Sequence, residues 1–247
     1  FRATSAGVTR WSDGLSGNMD DVPVRVHKHA FLNYVCAGTE AFAAIALREW
    51  DPELARHCLQ VAMADHAFAE ARFAEKGIEL PSFFEHTYSS GPSAYAALAS
   101  WAASLLYEAG AGDMYADRAR EEAEKLLSCQ QTEPVGMADG AGQGGFAGFF
   151  HRDGEKRSIV HYNHQSREAL PMQALERLCA TQPDHPDRPR WEGAMRLYAG
   201  YLKALAPYTA PYDMMPAGLH RADEADDAVT FPLMHLLVDY ESEKSNY

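Results

Sequence analysis

Ala-rich stretches with a 3.6-residue apolar period recur along this chain in pairs. A short turn joins the members of each pair, and a long connector separates one pair from the next. That spacing leaves few folds open. The first stretch covers about 26–50 and carries Phe31, Tyr34, Val35, Phe42, Ile45 and Ala46. Asp51-Pro52 restarts the chain, because Asp is a good N-cap and Pro loses nothing at the first helical position, where its missing N–H has no partner anyway. The second helix then carries Leu54, Cys58, Val61, Phe68 and Phe73 up to Gly77. A third covers about 93–108 with Tyr95, Leu98, Trp101, Leu105 and Leu106 on one face. Gly110 to Asp113 turns the chain and caps a fourth with Tyr115, Ala119, Ala123, Leu126 and Leu127. A fifth starts near Pro171 (Met172, Leu175, Leu178), a sixth near Pro189 (Trp191, Met195, Tyr198, Leu202, Leu205), and a short seventh is expected over about 232–240. Val-Ile-Thr alternation is almost absent, so strands are not expected.

The long connectors, at about 78–91, 131–168 and 207–230, and the segment before the first helix all fall at one end of an up-and-down helical array. Connectors of this length in a compact domain are functional or disordered, and Tyr, Phe, His, Arg and Gly do not make a disordered composition. The expected fold is therefore all-α. Antiparallel helix hairpins form part of a toroid over a single domain, 1–247, with the functional loops at one end. A regular helical solenoid is the competing architecture.

Acidic side chains number 35 against 22 basic ones, a net charge of -13. That balance disfavours nucleic acid and anionic membrane surfaces as partners. Apolar stretches are broken before ~18 residues, so no membrane span is expected. Cys36, Cys58, Cys129 and Cys179 lie far apart and read as small buried hydrophobes, without zinc or disulfide spacing. The chain opens on Phe1 without a signal-peptide pattern, which reads as a processed or partial product.

The densest polar run is His161-Tyr162-Asn163-His164-Gln165-Ser166-Arg167-Glu168, just ahead of Pro171. A helix entrance offers free backbone N–H groups to a polar ligand, while His, Arg and Glu supply an acid–base pair and a fixed cation. The same residues also read as caps and loop partners. Trp11, Asp20, Asp21 and Arg25 form a second cluster, in which two carboxylates sharing a site would push each other's pKa apart. Helix capping accounts for Asp20 and Asp21 equally well. Glu168, His164 and Asp20 are the candidates for acid–base work. No metal ligand set is expected, since His161, His164 and Glu168 lack regular helical spacing. Phe83, Phe84, His86, Tyr88, Phe146, Phe149, Phe150, His151, Arg152, Tyr208 and Tyr212 offer aromatic platforms for sugar rings, or fold the connectors onto the helices. Gly140 to Gly145 is read as a flexible link, since no strand precedes it and no Lys-Ser/Thr follows.

Met19-Asp20-Asp21-Val22-Pro23-Val24-Arg25-Val26-His27-Lys28 resembles a stretch in the middle of family 9 glycoside hydrolases. Gly38 to Ala44, Ser100 to Gly110 with Asp113-Met114-Tyr115, Tyr162 to Pro171, and Tyr208 to Ala217 are similar to further segments of cellulase-like members, in the same order over about 11–220. The resemblance implies an (α/α)6 barrel with a saccharide cleft at the long-loop end. It implies inverting hydrolysis of a β-linked glucan, with acid and base carboxyls about 6.5–9.5 Å apart. It also implies a periplasmic or extracellular setting and no cofactor beyond a structural calcium. The family's Asp-Ala-Gly-Asp base motif and its late acid Glu have no counterpart here. The resemblance therefore carries cleft-lining positions only: Trp11, Asp20, Asp21, Arg25, His161, Tyr162, His164, Arg167 and Glu168. An incomplete barrel would expose an apolar edge, so a homo-oligomer or a second chain that completes it is expected. Two alternatives stand beside the hydrolase. One is a polysaccharide lyase or uronate epimerase using Tyr162, Asn163, His164 and Arg167, and the other is a non-catalytic helical scaffold.

Overall fold

The computed structural model describes residues 28–79, 91–136, 144–157, 159–160 and 169–211. These form six α-helices: α1 Ala30–Leu47, α2 Pro52–Lys76, α3 Pro92–Glu108, α4 Met114–Ser128, α5 Leu170–Thr181 and α6 Arg188–Leu205. A 3-10 turn, Ala206–Thr209, extends the last of them. The protein is all-α across the described residues, whose only β-type pairings are isolated bridges. The expected seventh helix at 232–240 lies outside the described residues.

Local chemistry explains where the helices start. Pro52, Pro92, Pro171 and Pro189 each stand in a first turn, where no backbone N–H is needed. Asp51 caps α2 as expected, its Oδ1 accepting the Leu54 N–H at 3.0 Å. Gly77, at φ 65°, closes the same helix by donating its N–H to the Phe73 carbonyl. The Asp113 side chain makes no cap hydrogen bond, and its carbonyl accepts the Ala116 and Asp117 N–H groups at 2.9 and 3.3 Å. α1 starts at Ala30, later than the apolar pattern predicts, because His29 is still extended at φ -149°.

Three antiparallel hairpins pack side by side. Phe31 meets Tyr95 at 5.3 Å between ring centroids and Gly38 meets Trp101, so α1 and α3 run parallel. Arg177 reaches Glu108 at 3.1 Å while Leu170 packs beside the Tyr95 and Ala102 cluster, which sets α5 parallel to α3. The partners form a second layer with the opposite direction. Arg118 pairs with Glu70 at 2.5 Å between α4 and α2, and Arg190 with Glu124 at 2.6 Å between α6 and α4. Helices α1, α3 and α5 therefore make one layer, and α2, α4 and α6 the other.

α3 is the centre of this array. Ser93, Tyr95 to Ser100 and Ala102 to Leu106 are buried, so the helix has almost no solvent face. Six of its residues are alanine, which lets neighbouring helices close in. Its buried Ser100 hydroxyl donates to the Ala119 carbonyl at 2.9 Å and so avoids an unpaired polar group.

Several expectations are corrected. The buried face of α2 is Ala55, Ala62, His66 and Ala69, while Leu54 is 44% exposed. The face is turned by about one residue, because small side chains, not large ones, fit against α1. Phe42 belongs to the predicted stripe of α1 but is 53% exposed, and Cys36 is exposed too. α1 also has the length and mean hydropathy, 1.4 over 18 residues, of a membrane-crossing helix, which the sequence pattern did not anticipate. Its Ala37, Gly38, Ala41 and Ala44 are nevertheless buried in the helical array.

The Gly38 contact generates a prediction. A Cβ placed there would lie 2.1 Å from the Trp101 ring. Gly38→Ala is expected to cost about 1–3 kcal/mol despite its better helix propensity. In thermal unfolding this should lower the midpoint by several degrees, and Trp101→Leu in the same background should remove most of that added cost. A Gly38→Ala variant as stable as the parent would contradict this packing.

Candidate functional site

The starts of α1 and α3 are tied together through Glu79, the last described residue before the 80–90 connector. The His29 Nε2 donates to the Glu79 carbonyl at 2.8 Å. The Tyr95 hydroxyl accepts the Glu79 N–H at 3.2 Å and lies 3.3 Å from its carbonyl. Arg72, near the end of α2, grips the Glu79 carboxylate through two nitrogens at 2.5 and 2.9 Å. That hydrogen-bonded guanidinium holds the carboxylate pKa below its ordinary value. A bidentate ion pair, a phenol and an imidazole thus fix one connector root at the pole where α1 and α3 begin.

The 129–160 connector is anchored at the same pole. Val135 and Phe146 exchange both backbone hydrogen bonds at 2.9 Å. The Gln131 N–H donates to the Phe149 carbonyl at 2.9 Å, and the His151 N–H to the Cys129 carbonyl at 2.9 Å. The buried Gln130 amide donates to the Gly148 and Ala194 carbonyls at 3.0 and 2.9 Å. Gly148 (φ 107°) lets the backbone lie against α6, where a Cβ would come 2.3 Å from the Leu197 carbonyl oxygen. Arg152 then reaches back to α3, its carbonyl accepting the Ser93 N–H at 2.9 Å.

This geometry decides between the two readings of the connector aromatics. Phe146, Phe149, Phe150 and His151 are buried; Phe146 and Phe149 pack with Ile159, Tyr201 and Leu205, so these rings fold the connector onto α6 and offer no platform. Tyr208 stays half exposed, edge-on to Phe146 at 5.7 Å. Phe83, Phe84, His86, Tyr88 and Tyr212 lie outside the described residues. So do Trp11, Asp20, Asp21, Arg25, His161, Tyr162, Asn163, His164, Gln165, Ser166, Arg167 and Glu168. The described chain on either side of 161–168 is Val160, bonded to the Phe150 carbonyl at 2.8 Å, and Ala169, at the start of α5. Among the described residues no group of three His, Cys, Asp or Glu side chains could hold a metal ion.

Two titratable clusters have no counterpart in the sequence reading. At the junction of α1, α2 and α4, His66 is 2% exposed and lies edge-on between Tyr34 and Tyr115, at 5.5 and 5.3 Å. Its Nε2 has no hydrogen-bond partner. Burial, reinforced by the Arg118 charge, lowers its pKa to about 4. Glu70 Oε2 lies 3.8 Å from Nδ1, beyond hydrogen-bond reach, while its Oε1 takes the Arg118 guanidinium at 2.5 Å. Burial first, then Glu70 and Glu122, push the Tyr34 phenol far up. On the α1–α2 seam, burial raises Glu40 and Asp65, and Asp65 raises Glu40 further. The spacing Ala62, His66, Ala69 was the available signal for a core histidine.

Comparison with known protein families, with curated proteins and with solved structures gives no match.

His66 makes acid stability a measurable property of this junction. Its pKa is about 4 folded against an ordinary 6.5, so the unfolded chain takes up the proton first as pH falls. Stability is complete above about pH 6.5 and is lost toward pH 4, by up to about 3 kcal/mol. Raised Glu40 and Asp65 act with the opposite sign, losing their contribution as pH rises through their folded pKa values. Denaturant titrations of parent and His66→Phe isolate the histidine: the variant should lack the loss between pH 6.5 and 4, and equal pH profiles would refute the assignment.

Proposed function

We propose that this protein handles saccharides at the pole where α1, α3 and α5 begin, as part of an α/α toroid of the family 9 glycoside hydrolase type. Its substrate on this reading is a β-linked glucan, cleaved with inversion where the acid and base carboxyls are present. The observation that carries the reading is the common direction of α1, α3 and α5. Their N-termini lie at one pole, together with the roots of the connectors that bear Trp11 to Arg25 and His161 to Glu168. A saccharide needs many directional polar partners around an apolar ring face, and loops gathered on a rigid helical base supply them. The three hairpins would be half of the six in an (α/α)6 toroid. The motif order over about 11–220 supports the same reading. The exposed α1 residue Phe42 suits an edge covered by a second copy or another chain in the assembled protein.

The test is binding of cello- and xylo-oligosaccharides by calorimetry, with release of new reducing ends measured in parallel. Glu168→Gln and His164→Ala are expected to weaken affinity or turnover by at least about 1–2 kcal/mol with little change in thermal midpoint. Variants that change only the midpoint would make these residues helix caps and remove them from the site. An ultraviolet-absorbing unsaturated product from a polyuronate would assign a lyase in place of the hydrolase.

A further inference from the structure

A cavity of about 260 Å³ opens between the first two hairpins. It opens at the end of the array where α3 begins and α4 ends, with Pro92, Ser128, Cys129 and Gly154 in its lining, and the inference drawn from it does not depend on the saccharide reading. Tyr34 of α1, Phe73 of α2 and Tyr95 of α3 frame it, with Ala99 on α3 and Glu122 and Lys125 on α4. Phe73 and Tyr95 are stacked at 4.8 Å with 29° between their planes. Alanine at position 99, itself 3% exposed, leaves the space that a larger side chain would occupy.

The polar side chains among its described lining residues are few, and Glu122 is the one carboxylate among them. The Glu122 side chain is 14% exposed, and its Oε1 receives the Lys125 ammonium at 2.7 Å. Lys125 is 63% exposed and one turn along the same helix, so it is a mobile counter-ion on a shielded carboxylate. The Tyr95 hydroxyl is already engaged by Glu79. The acidic groups outweigh the nearest guanidinium here: Glu70 and Glu122 both act on the Tyr34 phenol more strongly than Arg118 does.

We infer that this cavity binds a small organic ammonium ion with an apolar, preferably aromatic, body. Three aromatic rings in the lining attract a cation, and the largely shielded Glu122 carboxylate supplies the charge-assisted hydrogen bond. The ligand ammonium takes the place of Lys125 on Glu122. A pyranose of similar size would leave several hydroxyls without partners against Phe73, Tyr95 and Ala99, which is costly in an apolar enclosure. The net charge of -13 raises the local concentration of cations around the whole chain.

The probe is benzylammonium, with benzyl alcohol as neutral isostere and glucose as saccharide, titrated into the full chain by calorimetry and by chemical-shift mapping. Benzylammonium is expected to bind with a dissociation constant near the millimolar range. Benzyl alcohol and glucose should bind at least roughly tenfold more weakly. Glu122→Gln should weaken the ammonium by about tenfold, while Lys125→Ala, which frees the carboxylate, should strengthen it severalfold. Ala99→Leu should abolish binding by filling the space, and the lysine variant keeps the test decisive if that one does not fold. Equal binding of alcohol and ammonium, no binding of the ammonium at tens of millimolar, or affinity insensitive to both Glu122→Gln and Lys125→Ala would each overturn the assignment. Glucose binding that is lost with Glu122→Gln would overturn it too, by making the cavity a saccharide subsite, whereas a failed oligosaccharide titration at the pole leaves it untouched.

Discussion

A helix without a solvent face has to be matched on every side, and α3 imposes that demand on the rest of the chain. Its alanines set how closely α1, α4 and α5 approach, and Gly38 is the point where the demand is strictest, because the Trp101 ring occupies the place of a side chain. Close-packed interiors transmit such constraints, and at Gly38 the Trp101 ring leaves no space into which a neighbour could relax. The two layers follow from this. α1 and α5 flank α3 in the same direction, and the outer helices fill the remaining sides through ion pairs such as Glu70–Arg118 and Glu124–Arg190. Those exposed or half-exposed pairs set register more than they add stability.

Polar chemistry inside the layers falls into two kinds. Ser100 and Gln130 are satisfied and act as pins, one between α3 and α4, the other between the 129–160 connector and α6. His66 is different, since it brings an ionisable ring into a three-helix junction with Nε2 unbonded. A hydrophobe would pack there at lower cost, and the histidine makes the junction sensitive to acid where an apolar side chain would not.

The helices themselves were legible in the sequence because their boundaries are written in local chemistry: Asp51, Gly77 and a proline in four of six first turns act over a few residues and need no tertiary context. Which face is buried was less legible. Large side chains such as Leu54 and Phe42 suggest a stripe, but helices pressed against an alanine-rich core bury small residues and leave large ones outside. Connector conformation was not legible. Phe146, Phe149 and His151 carry the composition of a binding loop, and only the position of α6, far along the chain, makes them core. The polar clusters at 11–25 and 161–168 depend on the same long-range information, and they fall outside the described residues.

The opposed directions of the two layers have an electrical consequence at the pole. The outer helices end there, and each carries a lysine in its last turn, Lys76, Lys125 and Lys203, which offsets the partial negative charge of the terminal carbonyls. The inner helices begin there, and none of α1, α3 or α5 has an acidic residue in its first turn. Among the described residues, peptide-bond polarity is thus offset within the last turns of the outer helices and not within the first turns of the inner ones. The starts of the inner helices keep the partial positive charge of their backbone N–H groups, a main-chain contribution that an acidic side chain placed in a first turn would offset.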